Sequence, residues 1–133
     1  MLSPSTADAI ETALGEKLRR ETARPISGGC IHDSLLVERE SGALLFVKQN
    51  RKDSLPLFEA EKAALELLHS SGTIRIPEPY LTGSSGDQSF FAMEGLNLTS
   101  SSYSASQKEL GERMAALHEV KAPENLFGAT FDN

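Results

Sequence analysis

Apolar residues recur along the chain at two spacings, and the switches between them predict its elements. Ile10, Leu14 and Leu18 return every fourth residue, and Ser5 and Thr6 can cap that run, so a helix is expected over Ser5–Arg20. From Arg24 the chain reads as extended. It breaks at Gly28-Gly29, resumes over Ser34–Glu40, turns at Ser41-Gly42 and returns as a strand over Ala43–Gln49, which suggests an antiparallel meander. Helical spacing comes back in LFEAEKAALELLHS, Leu57–Ser70, with Ser54 as N-cap and Pro56 in the first turn. Leu57, Ala60, Ala64, Leu65 and Leu68 form its expected apolar face, and Glu59, Lys62 and Glu66 face water. Gly72 stops this helix. Two prolines make Ile74–Pro79 an extended connector into a strand near Tyr80–Thr82, and SFFAM, Ser89–Met93, reads as a buried strand ended at Gly95. A serine-rich linker, Thr99–Ser106, leads to a last helix over Ser106–Val120, with Leu110, Met114 and Leu117 on its apolar side.

Composition narrows the classes. At 133 residues, 39% hydrophobic and 24% charged, the chain suits one domain, or one lobe with part of another. A net charge of −6 argues against broad binding to nucleic acid or anionic membranes, because no basic excess exists to neutralise phosphates. No apolar run approaches the ~18 residues of a membrane span, and the N-terminal segment has no signal-peptide core, so cytoplasm is the expected location. The single cysteine, Cys30, excludes an intrachain disulfide framework and a cysteine-rich zinc site.

Two features of the middle of the chain carry chemistry. Gly28-Gly29 lies between strands rather than before a helix, and GKS or GKT is absent, so this is not a Walker loop. A glycine turn between antiparallel strands can fold over a triphosphate and offer backbone N–H groups without obstruction, although an ordinary hairpin explains two glycines equally well. Lys48 ends the run LLFVK. Alternation puts Leu44, Phe46 and Lys48 on one face and Leu45 and Val47 on the other, so an ammonium group follows an apolar face. Burying it unpaired costs roughly several kcal/mol. Glu61, thirteen residues later, interrupts the apolar stripe of the next helix between Leu57 and Leu65 and is the candidate partner. Glu59 is the runner-up, on the solvent side. His32, His69 and His118 have no metal-ligand spacing and read as turn, helix-end and surface residues. Cys30, beside Lys48 in the expected fold, is a small turn residue or a redox-sensitive thiol that could bridge two chains.

The segments GGCIHDSLLVERESGALLFVKQN, LFEAEKAALELL, GTIRIPEPY and SFFAMEGLNL together resemble the N-terminal lobe of fructosamine kinases, also called ketosamine-3-kinases or protein-ribulosamine kinases. These are related to aminoglycoside phosphotransferases and choline kinases, and the likeness runs from about Pro25 to Asn133. It implies an α+β protein-kinase-like lobe, a five-stranded, mainly antiparallel sheet packed on the helix bearing Glu61, with the N-terminal helix beside it. It divides the chain into an ATP-binding lobe at 1–94, a hinge and linker at 95–104, and the start of a C-terminal lobe at 105–133. Gly28, Gly29, Cys30 and Ile31 would cover the phosphates, Lys48 would contact them, and Glu61 would position Lys48. Met93 would pack behind adenine, with Glu94 C=O and Leu96 N–H at its edge.

By the same resemblance the family's His-Gly-Asp aspartate and a later metal-binding aspartate complete the site. No histidine here precedes Gly-Asp, so the chain is expected to be a piece of a longer kinase, inactive alone, whose ATP and Mg2+ meet a ketosamine-modified protein or small molecule. The exposed face of the last helix, or Cys30, could support a homodimer. The alternatives are a lobe of another small-molecule kinase, acting on an aminoglycoside, choline or homoserine, and a non-catalytic interaction module.

Overall fold

The computed structural model describes residues 1–27, 32–98 and 103–122. The glycine turn at 28–31 lies outside the described residues, and so does the tail beyond 122. The N-terminal helix, α1 (Pro4–Leu14), is shorter than its periodicity suggests. Gly15 ends it at φ 66°, a left-handed conformation that glycine adopts without a Cβ penalty, and its N–H caps Glu11 C=O. Leu18 therefore does not extend the helical stripe. It begins strand β1 (Leu18–Pro25) and is buried there. The Glu11 carboxylate makes this corner. It accepts from Leu18 N–H at 3.1 Å, Lys17 Nζ at 2.9 Å and Arg20 Nε at 3.0 Å.

Strands β2 (Asp33–Arg39) and β3 (Leu44–Arg51) continue the expected meander. A 3-10 turn, Lys52–Ser54, then leads into α2 (Leu55–Ser70), with Ser54 at the N-cap position and Pro56 in the first turn. The Ser54 side chain makes no capping bond. After the connector come β4 (Pro79–Ser85) and β5 (Gln88–Glu94), and finally α3 (Tyr103–Glu119). The sheet is five-stranded and antiparallel throughout, in the order β1-β2-β3-β5-β4. The chain thus carries β4 to the far edge and returns β5 into the gap beside β3.

The two faces of this sheet are covered unequally. Leu35, Val37, Leu45, Val47, Phe90 and Ala92 project from one face onto Ala7 and Ile10 of α1, forming the larger core. Gln49, buried on that face, accepts from Ser3 N–H and donates to Met1 C=O, both at 3.0 Å, pinning the N-terminal segment to β3. The opposite face holds a smaller cluster, Phe58 of α2 with Phe91 and Met93, flanked by Phe46 and Leu65. Hence α1 lies across the sheet from α2, not beside it. Because α2 covers only part of its face, the remainder stays open as a cavity. Leu110 and Met114 of α3 are exposed, as is Val120 just past its end, and among the described residues no helix is long and apolar enough to cross a membrane.

Candidate functional site

Register fixes what lines the open part of the sheet. Leu36 pairs with Phe46, and Phe46 with Met93, so three apolar side chains form one cross-strand row. Two residues further along β3, on the same face, stands Lys48, opposite Ser34 on one side and Phe91 on the other. The ammonium is thus carried to the edge of an apolar floor, as alternation alone predicts.

Helix α2 supplies its partner. Lys48 Nζ donates directly to Glu61 Oε1, and the two side chains are 23% and 29% exposed. At that depth the pair is shielded enough for each charge to need the other, yet open enough to meet a ligand. The apolar stripe of α2 runs through Phe58, which is fully buried, and Leu65, with Glu61 between them at spacings of three and four. Leu57, the expected start of the stripe, is 41% exposed. The stripe therefore starts at Phe58 rather than Leu57, while Ala60, Ala64, Leu65 and Leu68 are buried or half-buried as expected, and Glu61 stays on the sheet side. Glu59 is exposed, as expected of the runner-up.

A cavity of ≈ 380 Å³ opens over these residues, within the roughly 300–1,000 Å³ range of small-molecule sites. Leu36, Phe46 and Met93 form its floor, Lys48 and Glu61 its charged end, and Leu65 and Pro77 a wall. Glu94 and Leu96 close the far side, with Ile26 and Leu98 also lining it. Lys48, Glu61, Met93, Glu94 and Leu96, which sequence reasoning singles out, thus share one cavity. Gly28, Gly29, Cys30 and Ile31 fall outside the described residues. Leu36, Phe46, Leu65 and Pro77 are not among the residues the sequence singles out. Phe46 and Leu36 were within reach, since one shares Lys48's face and the other faces it across the hairpin.

The segment leaving β5 is held tightly. Arg75, in the connector, donates to Glu94 Oε2 at 2.9 Å and also to Oε1, and Glu78 N–H donates to Oε2 at 3.1 Å. The Arg75 bond, ahead of the opposing effect of burial, holds the Glu94 carboxyl below its ordinary value. Glu94 N–H also donates to Glu78 C=O at 2.8 Å and Gly95 N–H to Leu44 C=O at 2.9 Å, so the segment is anchored on both sides, at β3 and just ahead of β4. A larger groove, ≈ 620 Å³, lies between the connector and α3, but its arginines are already paired, Arg75 with Glu94 and Arg113 with Glu109.

An apolar slot between three strands and a helix, with a lysine–glutamate pair at one end, is what the fold builds here. The sequence model of the fructosamine kinase family matches residues 2–133. The chain belongs to the fructosamine kinase family. Its relatives in the family include a probable ketoamine kinase of Synechocystis sp., 34% identical over 128 residues, which are 96% of this chain and 42% of that protein. A chloroplastic protein-ribulosamine 3-kinase of Arabidopsis thaliana is 32% identical over 109 residues, 81% of this chain and 32% of that protein. The crystal structure of a candidate fructosamine-3-kinase from Haemophilus somnus shares the fold at a TM-score of 0.75 and 26% identity, over 90% of this chain and 40% of that one. The chain spans less than half the length of these relatives. With the sheet and helix order described above, this places it in the protein-kinase-like fold.

Proposed function

We propose that the cavity binds ATP and that the protein containing this chain transfers its γ-phosphoryl group to the 3-hydroxyl of a ketosamine, the sugar adduct left on an amine by glycation. The phosphate would make the adduct labile and so allow deglycation. The observation that carries the nucleotide reading is the Lys48–Glu61 pair at the end of an apolar cavity. A lysine held by an acid on a neighbouring helix is poised, rather than free to snorkel, and can contact the α- and β-phosphates as a fixed point charge. The apolar row Leu36–Phe46–Met93 suits a flat purine ring, whose edge would meet Glu94 C=O and Leu96 N–H. Residues 28–31 would cover the phosphates with backbone N–H groups.

In this reading residues 1–94 are the nucleotide lobe, 95–104 the hinge and linker, and 105–133 the start of the substrate lobe. The substrate assignment rests on membership of the family and on the names of the ketoamine and ribulosamine kinases among its relatives. Phosphoryl transfer also needs an acid to orient the hydroxyl and acids to hold magnesium. Among the described residues no group of three or more His, Cys, Asp or Glu side chains could hold a metal ion, so no magnesium ligand is assigned within them. Nucleotide binding is expected of this chain, and transfer of the longer protein.

Calorimetric titration of ATP into the wild-type chain and Lys48→Ala tests the reading. Saturable binding weakened at least tenfold by the substitution supports it. Equal binding, or none in either protein, overturns it.

A further inference from the structure

The geometry points to His32 as a positioning residue that holds Glu61 against Lys48 through Asn50 and Phe58. This inference rests on the nucleotide reading of the cavity. His32 precedes β2, and its ring is fixed by two elements at once. Its Nδ1 lies 2.7 Å from Asn50 Nδ2 on β3. Asn50 Oδ1 accepts from Arg51 N–H at 2.7 Å, so the amide nitrogen is the donor toward the ring and His32 Nδ1 accepts. The ring also packs on Phe58 of α2, centroids 5.0 Å apart and planes tilted by 52°, a favourable aromatic arrangement.

These two contacts reach the elements that carry the pair. Asn50 follows Lys48 by two residues on β3, on the same face. Phe58 precedes Glu61 by three residues on α2, so both stand on one side of the helix. Among the described residues of α2 only Phe58 and Ala60 are buried, and Phe58 is the larger and more deeply placed, so the rotation of the helix about its axis depends heavily on how Phe58 is held. Two rings hold it, Phe91 at 6.4 Å and His32 at 5.0 Å. Phe91 is the cross-strand partner of Lys48. Removing the His32 ring takes away one of the two aromatic contacts of Phe58 and leaves it the sheet-side neighbours of its cluster, Phe91 and Met93. The first turns of α2 can then rotate Glu61 away from Lys48.

A role exercised through Glu61 has a signature that general loss of stability lacks, namely that it disappears when Glu61 is already disabled. ATP affinity is measured for wild type, His32→Ala, His32→Gln, Glu61→Gln and the double variant His32→Ala/Glu61→Gln, with circular dichroism to confirm folding. His32→Gln keeps an acceptor for Asn50 but has no ring, so it serves as the second variant where the alanine chain folds poorly. The expected result is about a tenfold loss of affinity in either His32 variant and in Glu61→Gln, and no more than a further twofold loss in the double variant. Wild-type affinity in the folded His32 variants overturns the inference, and so does a multiplicative loss near a hundredfold in the double. If Glu61→Gln and Lys48→Ala both bind ATP as wild type does, the nucleotide reading fails and this inference falls with it. If those two weaken binding and the His32 variants do not, only the inference falls.

Discussion

Gly95 donates its backbone N–H to Leu44 C=O at 2.9 Å, and the two residues approach so closely that a Cβ on residue 95 would lie 2.7 Å from Leu44 Cβ and 2.8 Å from its carbonyl carbon. The chain leaving β5 thus passes hard against the start of β3, with Leu36 Cδ1 also within 2.9 Å of the missing methyl. No side chain fits there, because two of the three obstacles are at or next to backbone.

The first prediction concerns this contact. Gly95→Ala must push residues 94–96 off β3, costing about 2 kcal/mol of stability by overpacking. The same displacement moves Leu96, so ATP affinity falls alongside. Urea unfolding and nucleotide titration of the variant check both, and a variant unchanged in either would contradict the close approach.

Glu11 yields a prediction about acid. Hydrogen bonds from Arg20 first, then Lys17, with Leu18 N–H assisting, lower its carboxyl to about 2 from an ordinary 4.5 despite burial. A depressed folded-state value means the unfolded chain takes up the proton first as pH falls. The stability this carboxylate contributes is therefore complete above pH 4.5, declines below it and is gone near pH 2. Glu11→Gln keeps the shape but loses the charge-assisted bonds, at a cost of about 2 kcal/mol near pH 7. The gap between wild type and variant in thermal unfolding should narrow steadily from pH 5 to pH 2.5. A constant gap would show that the contribution is not ionic.

How much of this was legible in the sequence depended on whether a signal was local. Lys48 and Glu61 stood out because each breaks the pattern of its own element, a charge placed where the period calls for an apolar group. Leu18 misled, since it continues a spacing of four past Gly15, and only the glycine marks the stop. On α2 both Leu57 and Phe58 are apolar, so the pattern alone does not choose which of them begins the stripe. Pairing of β5 with β3, which brings Met93 beside Phe46, lies between strands separated by a helix, and no local period encodes it. The tightness at Gly95 follows from that pairing and was hidden with it.

Leu65 offers a test of the cavity independent of charge. It lines the slot from α2 and is only partly buried. Leu65→Phe adds bulk directed at open space rather than into packed core, so stability should change by less than about 1 kcal/mol. The added ring should occupy part of the volume assigned to adenine and weaken ATP binding at least tenfold, read by titration beside a melting curve. Undiminished binding by a well-folded variant would move the nucleotide elsewhere.

The ion pair itself should matter for binding and hardly at all for stability. Lys48 and Glu61 are each about three-quarters covered, and each charge has lost much of its water. Mutual attraction offsets that loss but does not greatly exceed it, which is why partly buried pairs can often be replaced by apolar groups at no cost. Lys48→Met alone leaves Glu61 uncompensated at the edge of an apolar floor and should cost about 1–2 kcal/mol. Adding Glu61→Leu removes the stranded charge and extends the apolar contact with Phe46 and Leu65. The double variant should therefore recover wild-type stability to within about 0.5 kcal/mol, a clear departure from additivity of the kind contacting residues show. ATP binding should be lost in the single and double variants alike. Denaturant unfolding of all four members of the cycle, with nucleotide titration of each, separates the two outcomes. A double variant less stable than Lys48→Met would mean that the pair is part of what holds α2 to the sheet, and the case for a pair kept for its ligand would lose its physical basis.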